Sequence, residues 1–129
     1  MTARKAQIGS ADEPLVARAR RELSRGVIEL AVLSVLDGRP RYGYELLSQL
    51  DEMTGGAPEL KEGTLYPVLH RLEDAEYVES YWEAEGRSAP RKYYSLTAAG
   101  RQQLELLRSE WKRLVDGMHR LFQRERRER

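Results

Sequence analysis

Lys61-Glu62-Gly63-Thr64-Leu65-Tyr66-Pro67-Val68-Leu69-His70-Arg71-Leu72-Glu73 has the spacing of a short helix with two unlike faces. Leu65, Val68, Leu69 and Leu72 fall on one apolar stripe, which leaves Thr64, Tyr66, His70 and Arg71 outside. Proline is tolerated within about the first turn of a helix, so Pro67 sets the helix start near Gly63 or Thr64. A β-hairpin is expected next: Tyr77 to Trp82, a polar turn, then Arg91 to Leu96. A helix with a polar, aromatic and basic outer face, followed by an arginine-tipped hairpin, suits duplex DNA. The helix fits the major groove, and the cations lie along neighbouring phosphates.

Upstream, Tyr42 to Asp51 reads as a helix with Leu46, Leu47 and Leu50 turned inward, ended by Gly55-Gly56-Ala57-Pro58. Ser24 to Leu36 reads as another, apolar on most sides and therefore packed by several neighbours. Asp12-Glu13-Pro14 is a helix start with Asp12 as cap, and residues 1 to 11 are expected to form a disordered leader. Downstream, Thr97 is placed to cap a long terminal helix. Its residues Leu104, Leu107, Trp111, Leu114, Met118 and Leu121 alternate steps of three and four, the seam of a heptad pattern, and Val115 and Phe122 widen it. Such a seam must be buried, and a twofold partner is the simplest source of burial.

The fold class expected is mainly α with a small β-hairpin (α+β): a winged helix-turn-helix plus a long C-terminal dimerisation helix. The organisation is an N-terminal extension over 1–23, a winged helix-turn-helix over 24–97, a dimerisation helix over 98–124 and a basic tail over 125–129. The chain has 129 residues, 40% hydrophobic and 33% charged, enough for one modest core. Its net charge of +1 is low for a DNA binder. The charges are segregated, however. Arg87, Arg91, Lys92 and Arg101 occur between Gly86 and Leu104 without an acid, whereas Glu73, Asp74, Glu76, Glu79, Glu83 and Glu85 precede them without a base. Cysteine is absent, which removes disulfides and thiolate metal sites and fits a reducing cytoplasm. The apolar run Val27 to Leu36 is far short of the roughly 20 residues of a membrane span. No cofactor or metal is expected, and the two histidines, His70 and His119, lack a partner acid or nucleophile, so no catalytic residue is assigned.

Tyr42-Gly43-Tyr44-Glu45-Leu46, Gly63-Thr64-Leu65-Tyr66-Pro67, Arg71-Leu72-Glu73 and Pro90-Arg91-Lys92-Tyr93-Tyr94-Ser95-Leu96-Thr97, closed by Gly100, together resemble the PadR family of bacterial transcriptional regulators. The order and spacing match from about Ser24 to Gly100, and the single terminal helix is similar to that of the short subfamily. A cytoplasmic protein is the default reading of the composition, and the resemblance implies a homodimeric repressor on an inverted-repeat operator, released by a small molecule or another signal. It also implies that a flat hydrophobic effector can be held at Trp111; the alternative is that Trp111 simply fills the dimer interface. Two departures stand out. Glu76 occupies a place where family members usually have glycine, and a residue with a Cβ in a left-handed helix terminus costs about 1 kcal/mol. The helix from Asp12 to Leu23 is an addition to the shortest members.

Lys61, Thr64, Tyr66, His70 and Arg71, with Arg87, Arg91 and Lys92 of the hairpin, are therefore the expected contacts to double-stranded DNA. Tyr66 can alternatively lid the core, and Thr64 can cap its helix. Tyr93 and Tyr94 alternate along a strand, so one is expected inside and the other outside; Tyr81 and Trp82 alternate likewise. Near-neutral charge also suits a different reading, a winged-helix module that binds protein and no DNA.

Overall fold

The computed structural model describes residues 13–58, 60–84, 86 and 89–128. The expected leader, the Asp12 cap and Arg87 lie outside them. The order of elements is α1 (Glu13–Ser24), α2 (Ile28–Leu36), β1 (Arg41–Tyr42), α3 (Gly43–Thr54), α4 (Glu62–Asp74), β2 (Val78–Glu83), β3 (Arg91–Leu96) and α5 (Ala98–Glu128). The strands form one antiparallel sheet in the order β1-β3-β2. This is the expected winged helix-turn-helix with a long terminal helix, plus a strand, β1, that two residues were too short to announce.

Leu33, Leu46, Leu65, Leu69, Leu72, Val78 and Leu104 are fully buried at the centre of the core. Each such side chain contributes roughly 1.5–3 kcal/mol of burial. α2 is packed by α3, α4, α5 and β3, which is why it is apolar on most sides. It begins later than expected, because Ser24 to Val27 forms a turn closed by Val27 N–H donating to the Ser24 carbonyl at 3.0 Å. Among the described residues α1, by contrast, makes few packing contacts with the other elements, and its Leu15 and Leu23 are exposed.

α4 starts earlier than Pro67 suggested. Lys61 occupies the cap position without a side-chain cap bond, and Pro67 is the sixth helical residue. The N–H that proline lacks would have met the Gly63 carbonyl. Gly63 and Pro67 are both exposed, so water can satisfy that carbonyl and the helix tolerates the loss. Thr64 is thus a first-turn residue and not the cap.

At its other end α4 closes in a Schellman motif. Tyr77 N–H donates to the Leu72 carbonyl and Glu76 N–H to that of Glu73, each at 2.9 Å. Glu76 takes the left-handed position with φ of 64°. The glutamate therefore occupies the glycine geometry that the family pattern calls for, and the hairpin leaves the helix in the ordinary way. Glu76→Gly is expected to stabilise the fold by up to about 1 kcal/mol, read as a higher urea midpoint at unchanged slope.

Thr97 caps α5 as expected. Its Oγ1 accepts from Gly100 N–H at 3.0 Å and donates to the Glu76 carbonyl at 2.7 Å. A Cβ at Gly100 would overlap the Tyr77 carbonyl and lie 2.7 Å from Leu96 Cδ1, so the start of α5 is pressed onto the hairpin base. α5 continues past Arg124 to Glu128.

Tyr93 and Tyr94 are both buried, contrary to the expectation for alternating residues. Tyr94 belongs to the core. Tyr93 lies on the opposite sheet face, where Tyr42 meets it edge-on at 5.6 Å between ring centroids and Tyr81 stacks on it at 5.7 Å. Pairing of β1 with β3 brings Tyr42 to that position, so a second, aromatic layer covers what would otherwise be a solvent face.

Candidate nucleic-acid interface

α4 presents Leu65, Val68, Leu69 and Leu72 to the core, as its apolar stripe requires. Lys61, Thr64, Tyr66, His70 and Arg71 are consequently exposed. They do not form one patch. Tyr66 and His70 face the hairpin and line a groove of about 420 Å³ together with Tyr44, Trp82, Arg91 and Lys92. Thr64 and Arg71 face the other way, into a cleft of about 550 Å³ that reaches Arg25, Glu29 and Leu107. There Arg71 Nη2 lies 3.4 Å from Glu29 Oε1, a half-exposed ion pair worth little in water.

Tyr66 packs against the start of α3. The residue is 37% exposed, while its phenol lies so close to Gly43 that any Cβ there would sit 2.9 Å from Cζ and closer still to the hydroxyl. Glycine between Tyr42 and Tyr44 thus makes room for an aromatic ring from the next helix. Burial raises the pKa of the Tyr94 hydroxyl, helped by nearby Glu73 and Tyr66.

The hairpin is tied to α4 by the Ser80 hydroxyl, which donates to the Glu73 carboxylate. Arg91 and Lys92 stand at the loop end of β3, opposite Glu83 and Trp82. Both cations are steered by rings: the Arg91 guanidinium carbon lies 4.5 Å over the centre of Tyr42, and Lys92 Nζ lies 5.6 Å from that of Tyr94. Such contacts orient the side chains while leaving their charge available to a phosphate.

Arg41 and Arg39, which the sequence did not single out, and Glu45 also support this surface. Arg41 is buried and donates from Nε to the Val35 carbonyl at 3.3 Å, locking β1 to the end of α2. Arg39 Nη2 lies 2.7 Å from Glu45 Oε2. The hydrogen bond from Arg39 holds the Glu45 carboxyl below its ordinary pKa, against the opposing effect of burial.

Along α5 the expected seam divides. Leu104 is fully buried in its own subunit's core, and Leu107 packs against that core, so Leu104 cannot serve a partner and is corrected from interface to core. The reason is that the first turns of α5 lie on α2, where Arg108 also approaches Asp37 at 3.8 Å. Beyond them Trp111, Leu114, Met118, Leu121 and Phe122 stay between 40% and 60% exposed. Among the described residues no His, Cys, Asp and Glu cluster could hold a metal ion, and no helix is long and apolar enough to cross a membrane.

A three-helix core, a helix presented beside a cation-bearing hairpin and a long terminal helix define a winged-helix protein of the regulator type. The model of the PadR-like family of transcriptional regulators matches residues 32–106. The chain belongs to that family. It is similar to a PadR family transcriptional regulator from Eggerthella lenta, with 37% identity and a TM-score of 0.74 over 88% of this chain and 97% of that one. It is 30% identical to the negative transcriptional regulator PadR of Bacillus subtilis over 78 residues, 60% of this chain and 43% of that protein. The structure of Bacillus subtilis PadR in complex with operator DNA matches with a TM-score of 0.57 and 29% identity, over 61% of this chain and 45% of that chain.

Proposed function

We propose that the protein is a homodimeric, DNA-binding transcriptional repressor of the cytoplasm that recognises an inverted-repeat operator. The observation that carries this reading is the pairing of an exposed α4 face with Arg91 and Lys92 on a hairpin braced against it through Ser80 and Glu73. The likeness to a regulator seen in complex with operator DNA supports it. Two α4 helices about 34 Å apart would enter successive major grooves on one side of the duplex. Lys61, Thr64, Tyr66, His70 and Arg71 supply donors from α4, and Arg87, Arg91 and Lys92 lie along phosphates.

Trp111, Leu114, Met118 and Leu121 supply the dimer interface, since a helix so apolar on one side must bury it. Release comes from a signal that changes the spacing of the two heads through α5; a flat hydrophobic small molecule held at the paired Trp111 side chains is one such signal.

Footprinting the purified protein on DNA upstream of its own gene tests the reading directly. A protected inverted repeat is expected, and the failure of every promoter fragment would overturn it. A second expected result concerns salt. Affinity should fall steeply as salt rises, and Arg91→Ala should reduce the slope of log K against log salt by about 1 with sequence preference kept. An affinity nearly indifferent to salt would remove the phosphate assignments.

A further inference from the structure

The groove between α3, α4 and the hairpin is lined mainly by aromatic and basic side chains. Among the described residues, no carboxylate lines it. Its walls include Tyr44 and Trp82, which are 72% and 67% exposed. Two large rings left in water around one concavity forgo the burial that aromatic side chains normally obtain. The hairpin register places Trp82 across from Lys92, on the sheet face that turns toward α4. The first turn of α3 also opens here. Tyr42, at its cap position, makes no side-chain cap bond, and Glu45, the acid in that turn, is neutralised by Arg39 at 2.7 Å.

We infer that this groove seats one sugar–phosphate strand of the bound duplex, with Tyr44 and Trp82 packing on the deoxyribose and Lys92 with the first amides of α3 holding the phosphate. The inference rests on the DNA-binding reading above and adds a site and two positioning residues to it. The ligand class follows from the lining. Rings alone would suit any apolar compound, and cations alone would suit any anion. An apolar sugar joined to a phosphate matches both, and α4 beside the groove sets the strand at the edge of the major groove. Because sugar and phosphate are the same at every base pair, the contact aids affinity and register without reading sequence. Trp82 and Tyr44 are thus grips, and discrimination stays with α4.

The test uses the full chain labelled with fluorotryptophan, whose two fluorine resonances are assigned with Trp82→Phe. A short random-sequence duplex is titrated at low salt, with binding followed in parallel by anisotropy of the labelled duplex. The Trp82 resonance is expected to move with the same saturation as the anisotropy, and inorganic phosphate alone is expected to leave it in place. Trp82→Ala should weaken random and promoter duplexes alike by about tenfold, the scale of one anchoring aromatic, while Trp82→Phe retains most of the affinity. Trp82 is mostly exposed, so neither variant threatens folding. Duplex binding with a stationary Trp82 resonance would overturn the groove assignment and leave the regulator reading intact. A saturable shift with phosphate alone would make the groove a simple anion site and overturn the strand seat. A wild-type chain that binds no duplex would remove both.

Discussion

Glutamate introduced together at Leu114 and Leu121 is expected to convert the proposed dimer into a monomer and to weaken operator binding by about 10²–10⁴-fold. That range is the advantage of linking two binding heads, which is lost when they separate. Both side chains are at least half exposed in the single chain, so the change should leave the fold of each subunit intact. Sedimentation reads the oligomeric state, circular dichroism the fold, and gel shift the affinity. The charge acts only once the two seams meet, because a glutamate on an exposed helix surface is harmless, whereas two facing each other in a dry interface are not. A double variant that still sediments as a dimer with unchanged operator affinity would show that α5 is not the interface.

Leu104→Ala, ten residues before Leu114 on the same helix and the same heptad seam, is expected to behave in the opposite manner. Leu104 is 1% exposed and belongs to the core of its own subunit. Its truncation should cost about 2–5 kcal/mol, the sum of lost burial and an unfilled cavity. Against the 5–15 kcal/mol that holds a typical domain together, that is a large fraction. The effect should be a loss of subunit stability at every protein concentration, whereas losing the dimer changes how the melting temperature depends on concentration. If Leu104→Ala proved as stable as the wild type and merely weakened association, the first turns of α5 would not be packed as described.

The difference between these two leucines also marks how far the sequence could be read. Heptad spacing shows which side of α5 is apolar, and spacing is local. It does not say what covers that side. The cover changes along the helix because α2 lies beneath the first turns only, and α2 is more than sixty residues away in the chain. Tyr93 and Tyr94 teach the same lesson. Alternation along β3 assigns them to opposite faces, and it did so correctly. That both faces are buried depends on Arg41 and Tyr42, two residues that pair with β3 from across the domain and bring a second aromatic layer with them.

Local rules served best where local geometry is the whole cause. The inward stripe of α4, the cap at Thr97 and the strand Arg91 to Leu96 all follow from spacing and backbone preference, and each stands where spacing put it; the glycine-like position of Glu76 is implied by the family resemblance. Pro67 is the exception among them, because solvent can replace a missing helical hydrogen bond and a sequence does not reveal which turn faces water. The cation-bearing residues were visible as types, but their grouping was not. Tyr66, His70 and Lys92 share a groove while Arg71 turns away to Glu29, a division that arises only when α2, α4 and the hairpin close on one core. The order of residues along the chain therefore specified the elements and their apolar faces through short-range sterics and periodicity. Which of those faces meet, and which side chains are left exposed, came from long-range packing, where each surface is defined by a neighbour distant in sequence.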